Sequence, residues 1–208
     1  TTIISAYLNE RKLVNKWIDI RDILRTNNNF RIAGVDEAVT LQHIETRLLP
    51  CFEEVNMVVT QGFIGATDEN ETTTLGREGS DFTAAVMASL LKADSVTIWK
   101  DVEGVMSADP KLFPDARLIE KLGYDEVIEM AYYGAQVIHP KTIKPLRNEG
   151  IPLFVKCFFD TSLPGTVIHH KSDNMLPPII VVKPDQVLLH LQSGDFSFVG
   201  EKEMSGLY

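Results

Sequence analysis

Residues 72–83 read Thr-Thr-Thr-Leu-Gly-Arg-Glu-Gly-Ser-Asp-Phe-Thr and run straight into an apolar stretch of helical spacing. A glycine-spaced turn carrying one cation therefore feeds a helix N-terminus. Such a start leaves backbone N–H groups unpaired and presents the positive end of the helix dipole, which favours a phosphate or a carboxylate. Arg77 adds a planar fork of donors matched to a carboxylate. Gly76 and Gly79 allow a tight turn and the close approach of a ligand, while Ser80 or Asp81 can cap the helix. The same pattern is also common as a plain capped turn, so by itself it leaves both readings open.

The elements that must hold this turn alternate along the chain. Apolar spacing predicts a helix over 1–8, a short strand over 14–20, a turn at Asn27–Asn29, a helix over 39–49 and a buried strand over 56–60. Thr72–Thr74 has strand propensity, 82–91 reads as the helix after the turn, and 96–99 reads as a β-branched strand ending at Lys100-Asp101. Helices over 125–133 and 141–148 follow, the second stopped by Gly150 and Pro152, and then a strand over 153–158. This alternation predicts an α/β fold with a mainly parallel sheet sandwiched by helices. Such sheets gather ligands at the C-terminal ends of their strands, where Gln61-Gly62, Lys100 and Asp101 fall. Trp17 and Trp99 are expected to pack, and Glu126 and Glu129 to face solvent.

Composition narrows the partners. The 208 residues are 44% hydrophobic and 24% charged, as in a soluble globular chain. A net charge of -9, from 20 basic against 29 acidic residues with no Lys/Arg cluster, argues against nucleic acid and favours a small-molecule ligand. Cys51 and Cys157 sit in apolar settings without Cys-x-x-Cys or Cys/His spacing, so they read as buried free thiols in a reducing cytoplasm and not as zinc ligands. The longest apolar stretch, 84–91, is far short of the roughly 18 residues of a membrane span, and no signal peptide pattern opens the chain.

Five ordered segments resemble the aspartate kinases of the amino acid kinase family. They are Val59-Thr60-Gln61-Gly62-Phe63-Ile64-Gly65; Leu75 to Asp81, which repeats Leu-Gly-Arg-Gly-Gly-Ser-Asp with Glu78 in place of a glycine; Ile98 to Met106 with Ala108-Asp109-Pro110; Tyr133 to Pro140; and Pro164 to Ile168. The resemblance implies that 1–170 is the C-terminal portion of an amino acid kinase catalytic domain, incomplete as it stands. It further implies that 171–178 is a linker and 179–208 the truncated start of an α+β ACT regulatory domain, with a strand over 187–191 and a helix opening at 201. The implied reaction is the ATP-dependent phosphorylation of the L-aspartate β-carboxylate to 4-phospho-L-aspartate, the first step of lysine, threonine and methionine biosynthesis. Mg²⁺ would arrive with ATP, an end-product amino acid would act through ACT domains, and the full-length form would be a homo-oligomer. The rivals are other amino acid kinases, acting on glutamate, acetylglutamate, carbamate or UMP, or a non-catalytic regulatory or nucleotide-binding fragment.

Residue roles follow from the resemblance. Arg77 would grip the substrate α-carboxylate, with Ser80 and Asp81 completing the pocket beside Phe63, and with Arg77 and Asp81 as the catalytic pair. For Asp81 a plain capping role stays open. Lys100, Asp101, Met106, Lys111, Gln136 and Val137 would line the nucleotide site, the loop 100–111 holding adenine and ribose. Relatives often carry threonine, tyrosine, arginine and lysine where this chain has Lys100, Met106, Lys111 and Gln136. The Lys100 and Gln136 pair resembles the plant-type branch, so Lys100 is expected to supply the phosphate-facing charge. His139, ahead of Pro140, reads as a structural residue at a helix start. Similar enzymes carry a Lys-Phe-Gly-Gly-Thr-Ser loop and a glutamate for the substrate amine upstream; neither is present here, so the chain alone is expected to be inactive.

Overall fold

The computed structural model describes residues 1–135, 138–170 and 176–187. The first half contains α1 (Thr2–Glu10), β1 (Lys16–Trp17), α2 (Glu37–His43), β2 (Val58–Val59), β3 (Ile64–Ala66) and β4 (Thr72–Thr74). The second contains α3 (Gly79–Leu91), β5 (Val96–Lys100), β6 (Lys121–Gly123), α4 (Tyr124–Tyr133), α5 (Pro140–Glu149), β7 (Leu153–Cys157) and β8 (Thr166–His169). Strands β1 and β2 pair in parallel, β3 and β4 antiparallel, and a four-stranded sheet runs β5-β7-β8-β6. In that sheet β5–β7 and β6–β8 are parallel and β7–β8 is antiparallel, so three of the five described pairings are parallel, as the α/β alternation predicts.

Helix α3 is the beam between two apolar clusters. Its Ala85 and Ala88 join Val96, Ile98, Ile143, Leu146, Leu153 and Val155 in the larger cluster under the four-stranded sheet. Its Val86, with partly buried Phe82 and Met87, faces Ile20, Ile23, Leu24 and Ile44 in the other. Because the helix is apolar on both sides, its N-terminus is fixed against both halves of the fold. Strand β5 alternates between buried Val96 and Ile98 and exposed Thr97 and Trp99, one face packed and the other open.

Several elements differ from expectation for local reasons. The strand over 14–20 is cut to Lys16–Trp17, since the Asp19 carboxylate accepts the Arg21 N–H and starts a 3-10 turn at Ile20–Asp22. The helix over 39–49 begins at Glu37 under an Asp36 cap, then loosens into a π turn at Ile44–Leu48 and a 3-10 turn at Leu49–Glu53, where Pro50 cannot continue the ladder. The strand over 56–60 is two residues long and half-buried. Trp99 does not pack: it stands on the open face of β5, 48% exposed. Glu126 is half-buried and folds its carboxylate back over Gly123 at the start of α4, while Glu129 is exposed.

Cys51 and Cys157 are both buried and free. No helix among the described residues is long and apolar enough to cross a membrane. After β8, Leu176 and Ile179 pack against the larger cluster and the Ile180 N–H donates to the Ser107 carbonyl at 2.8 Å. Residues 171–175, the expected helix opening at 201 and, apart from Val187, the expected strand over 187–191 lie outside the described residues.

Tyr124 closes the larger cluster. Its ring is buried and its hydroxyl donates to the Ile151 carbonyl, and burial pushes the phenol up to about 12 from an ordinary 10.0. The fold therefore holds this proton more tightly than the unfolded chain does, and the stability it contributes is complete below pH 10 and is lost as pH rises through about 12. Tyr124→Phe should lose about 1–2 kcal/mol at pH 7, because the Ile151 carbonyl is left unpaired. Urea unfolding should also show that deficit narrowing between pH 10 and 12, whereas a gap that stays constant or widens would exclude this role.

Candidate functional site

The glycine turn is built by two left-handed residues flanking the arginine. Gly76 has φ +78° and Glu78 φ +52°, so Arg77 stands exposed at the apex with no hydrogen bond or ion pair to any described residue. The Leu75 N–H donates to the Phe63 carbonyl and the Gly79 N–H to the Gly76 carbonyl, closing the turn. Helix α3 then starts at Gly79, with Glu78 as its N-cap and no side-chain cap. This corrects the expected cap: Ser80 and Asp81 lie inside the first turn. Their N–H groups carry no hydrogen bond to a described residue, and Ser80 is exposed. Unpaired N–H groups at a dipole's positive end, beside an unpaired guanidinium, are what a carboxylate needs.

Phe63 is held beside that helix start. It too is left-handed, φ +75°, with its N–H donating to Thr83 Oγ1 at 3.0 Å and its carbonyl taken by Leu75. A Cβ on Gly79 would come within 2.7 Å of the Phe63 ring, and one on Gly62 within 3.1 Å of Ser80 Cα. Glycine at both positions lets the segment 61–63 lie directly against the first turn of α3. The structure thus brings Phe63, Arg77, Ser80 and Asp81 into one region.

Strand β5 delivers the opposite side. Lys100 Nζ donates to Asp81 Oδ2 at 3.0 Å, with the two side chains 21% and 18% exposed. The C-terminal end of β5 is thereby fastened to the start of α3. Asp101 and Lys111 are exposed on the loop that follows, where the Lys111 N–H caps onto the Asp109 carboxylate. Met106 is half-buried in a bridge to Leu118. Thr166 Oγ1 pins this loop, accepting from the Val105 N–H at 2.8 Å and donating to the Ile119 carbonyl at 2.7 Å. A Cβ on Gly104 would lie 2.6 Å from that hydroxyl, so the pinning needs glycine. Gln136 and Val137 lie outside the described residues. Among the described residues no group of three His, Cys, Asp or Glu side chains converges to hold a metal ion.

Sequence reasoning missed three contributors because their partners are distant in the chain. The Glu78 carboxylate accepts the His139 N–H at 2.9 Å. Lys141 Nζ donates to the Leu75 carbonyl at 2.9 Å and lies 4.2 Å from the Phe82 ring centroid, and burial lowers the pKa of this ammonium. Asp19 links the ends of β1 and β2: its carboxylate holds Arg21 and accepts Gln61 Nε2 at 2.7 Å, and the Arg21 guanidinium lowers its pKa. His139 is structural, as expected; it is the N-cap of α5, its Nδ1 accepting the Lys141 N–H.

A profile of the Amino acid kinase family matches residues 1–157. The chain is 39% identical over 196 residues to Lysine-sensitive aspartokinase 3 of Escherichia coli (strain K12), covering 93% of this chain and 43% of that protein. It is 42% identical over 159 residues to the chloroplastic Bifunctional aspartokinase/homoserine dehydrogenase 1 of Zea mays, covering 76% of this chain and 17% of that one. The crystal structure of E. coli aspartokinase III in complex with aspartate and ADP superposes with a TM-score of 0.78 at 39% identity, over 83% of this chain and 38% of that one. The chain thus spans less than half the length of these relatives.

The ion pair between β5 and α3 is testable without any ligand. Lys100→Met leaves the Asp81 carboxylate unpaired in a mostly shielded place, and should cost about 2 kcal/mol, below the ~3–5 kcal/mol of a fully buried pair because some solvent reaches it. A double-mutant cycle with Asp81→Asn, read by denaturant unfolding, should give a coupling of about 1 kcal/mol or more. Additive losses would show that the two side chains do not act together.

Proposed function

This chain belongs to the amino acid kinase family, and from that premise we propose that it forms part of an aspartokinase. Such an enzyme transfers the γ-phosphoryl group of ATP to the β-carboxylate of L-aspartate. The observation that carries this reading is the exposed Arg77 beside the unpaired Ser80 and Asp81 N–H groups, set against a lysine at the neighbouring strand end. Arg77 and those N–H groups hold the substrate α-carboxylate, and Phe63 and Ser80 bound the pocket. Lys100, Asp101, Met106 and Lys111 face the nucleotide, with Gln136 and Val137 on the segment leading to α5. The residues suit a nucleotide, since a cation and an exposed carboxylate stand together at the end of a strand. Mg²⁺ is carried in on the ATP phosphates and neutralises charge on the transferring group.

Phosphoryl transfer of this kind consists mainly of positioning and charge compensation. Arg77 orients aspartate, while Lys100 turns its ammonium between Asp81 and the incoming phosphates. A free amino acid effector, as in the lysine-sensitive relative, ACT domains beyond residue 178 and a homo-oligomer complete the proposal for the whole protein. Its place in the cell is the cytoplasm.

The full-length protein, mixed with ATP, Mg²⁺ and aspartate, should yield hydroxamate when acyl phosphate is trapped with hydroxylamine; none above a heat-killed control would refute the reading. Arg77→Ala should then lose on the order of 10² in kcat/KM, as when one preorganised donor is removed. Activity within twofold of wild type would remove Arg77 from the site. Lys100→Ala should weaken ATP more than aspartate when each is titrated separately, and unchanged ATP affinity would remove Lys100 from the nucleotide side.

A further inference from the structure

Strands β1 and β2 pair in parallel over two residues each, and their backbone ladder runs out at the Ile18 N–H, which donates to the Val59 carbonyl at 3.1 Å. Beyond it, the hydrogen bonds that join the two strand exits among the described residues all pass through one side chain, Gln61. Its Nε2 donates to Asp19 Oδ1 at 2.7 Å, and its Oε1 accepts the Ile20 N–H at 3.3 Å. The Asp19 carboxylate also accepts the backbone N–H, Nε and Nη2 of Arg21, and only 15% of its side chain is exposed. A carboxylate so occupied is turned to its own neighbours and not to a ligand. What it does for the site it does through Gln61.

Gln61 leads straight into the substrate side. Gly62 follows it, so close to α3 that a Cβ there would meet Ser80 Cα at 3.1 Å. Phe63 comes next, its N–H donating to Thr83 Oγ1 and its carbonyl accepting the Leu75 N–H. The segment 61–63 is thus held by α3 and the glycine turn on one side and by the end of β1 on the other. We propose that Asp19 and Gln61 are positioning residues for the carboxylate-bearing substrate. Their tie sets where 61–63 lies against the helix start, and with it the pocket that Phe63 and Ser80 bound. Among the described residues this network shares no hydrogen bond with Lys100 or the loop after β5, so the nucleotide side should not feel its loss. The inference rests on the kinase reading for the identity of the substrate, and on geometry alone for the tie.

The test uses the full-length protein with Gln61→Ala, Asp19→Ala and Asp19→Asn, the last keeping an oxygen that can accept from Gln61. KM is measured for aspartate and for ATP, and hydrogen exchange of the Phe63 amide is followed in parallel. Gln61→Ala and Asp19→Ala should each raise the KM for aspartate about tenfold, with that for ATP changed less than about twofold. Asp19→Asn should recover most of that loss, and the double alanine variant should be no worse than the weaker of its parents. The Phe63 amide should exchange faster in both alanine variants. An aspartate KM that is unchanged in Gln61→Ala, or that rises together with the KM for ATP, overturns the proposal, as does an additive double variant. If Asp19→Ala does not fold, Gln61→Ala decides alone, because it leaves the Asp19–Arg21 pair in place. Wild-type protein without activity overturns the kinase reading instead, and the Phe63 amide then decides the tie: protection in Gln61→Ala equal to wild type overturns it.

Discussion

The contact between Lys100 and Asp81 decides how the rest of the molecule can work. At 3.0 Å and with about a fifth of each side chain exposed, the pair is attractive by about 5 kcal/mol before desolvation is charged against it, for an effective dielectric near 20. The net stabilisation is smaller, yet its direction is clear: the end of β5 cannot drift from the start of α3 without uncovering a charge. Since α3 is wedged between both apolar clusters, that one contact sets the site in register with the whole core.

From this anchor the remaining geometry follows. Left-handed residues at Gly76 and Glu78 can present Arg77 outward only if the turn's ends are held, and they are held by Phe63 on one side and by α5 on the other. The loop after β5 must cover the opposite side without collapsing onto it, which Thr166 achieves by bonding both the Val105 and Ile119 backbones. Asp19 and Gln61 perform the same service at the ends of β1 and β2. Each device acts at a strand or helix end, where backbone groups are unpaired and one side chain can fix a direction.

What could be read from the sequence was local. The strand at Thr72–Thr74, the helix over 82–91 and the strand over 96–99 are encoded in spacings of two to four residues; the structure has all three, with the helix starting earlier, at Gly79, and the second strand running one residue further, to Lys100. The family resemblance implied residues for both sides of the candidate site, of which the structure brings Phe63, Arg77, Ser80, Asp81 and Lys100 into one region. Ser80 and Asp81 are good capping types and so predict a later start, whereas the chain turns through a left-handed Glu78 and enters the helix two to three residues earlier, at Gly79. Trp99, an isolated tryptophan, is expected to pack, although strict alternation along Val96-Thr97-Ile98-Trp99 already puts it on the opposite face from Ile98. The bonds from Glu78 to His139 and from Lys141 to Leu75 cross 61 and 66 residues, and no single-sequence pattern carries such a pairing.

The central claim is that one helix start and one strand end face two different substrates across a single ion pair. A crystal structure of the full-length protein with L-aspartate and a non-hydrolysable ATP analogue tests it most directly. The account predicts the aspartate α-carboxylate on Arg77 and the Ser80 and Asp81 N–H groups, with Lys100 turned to the nucleotide phosphates. Aspartate bound elsewhere, or a nucleotide seated away from Lys100 and Asp101, would contradict it.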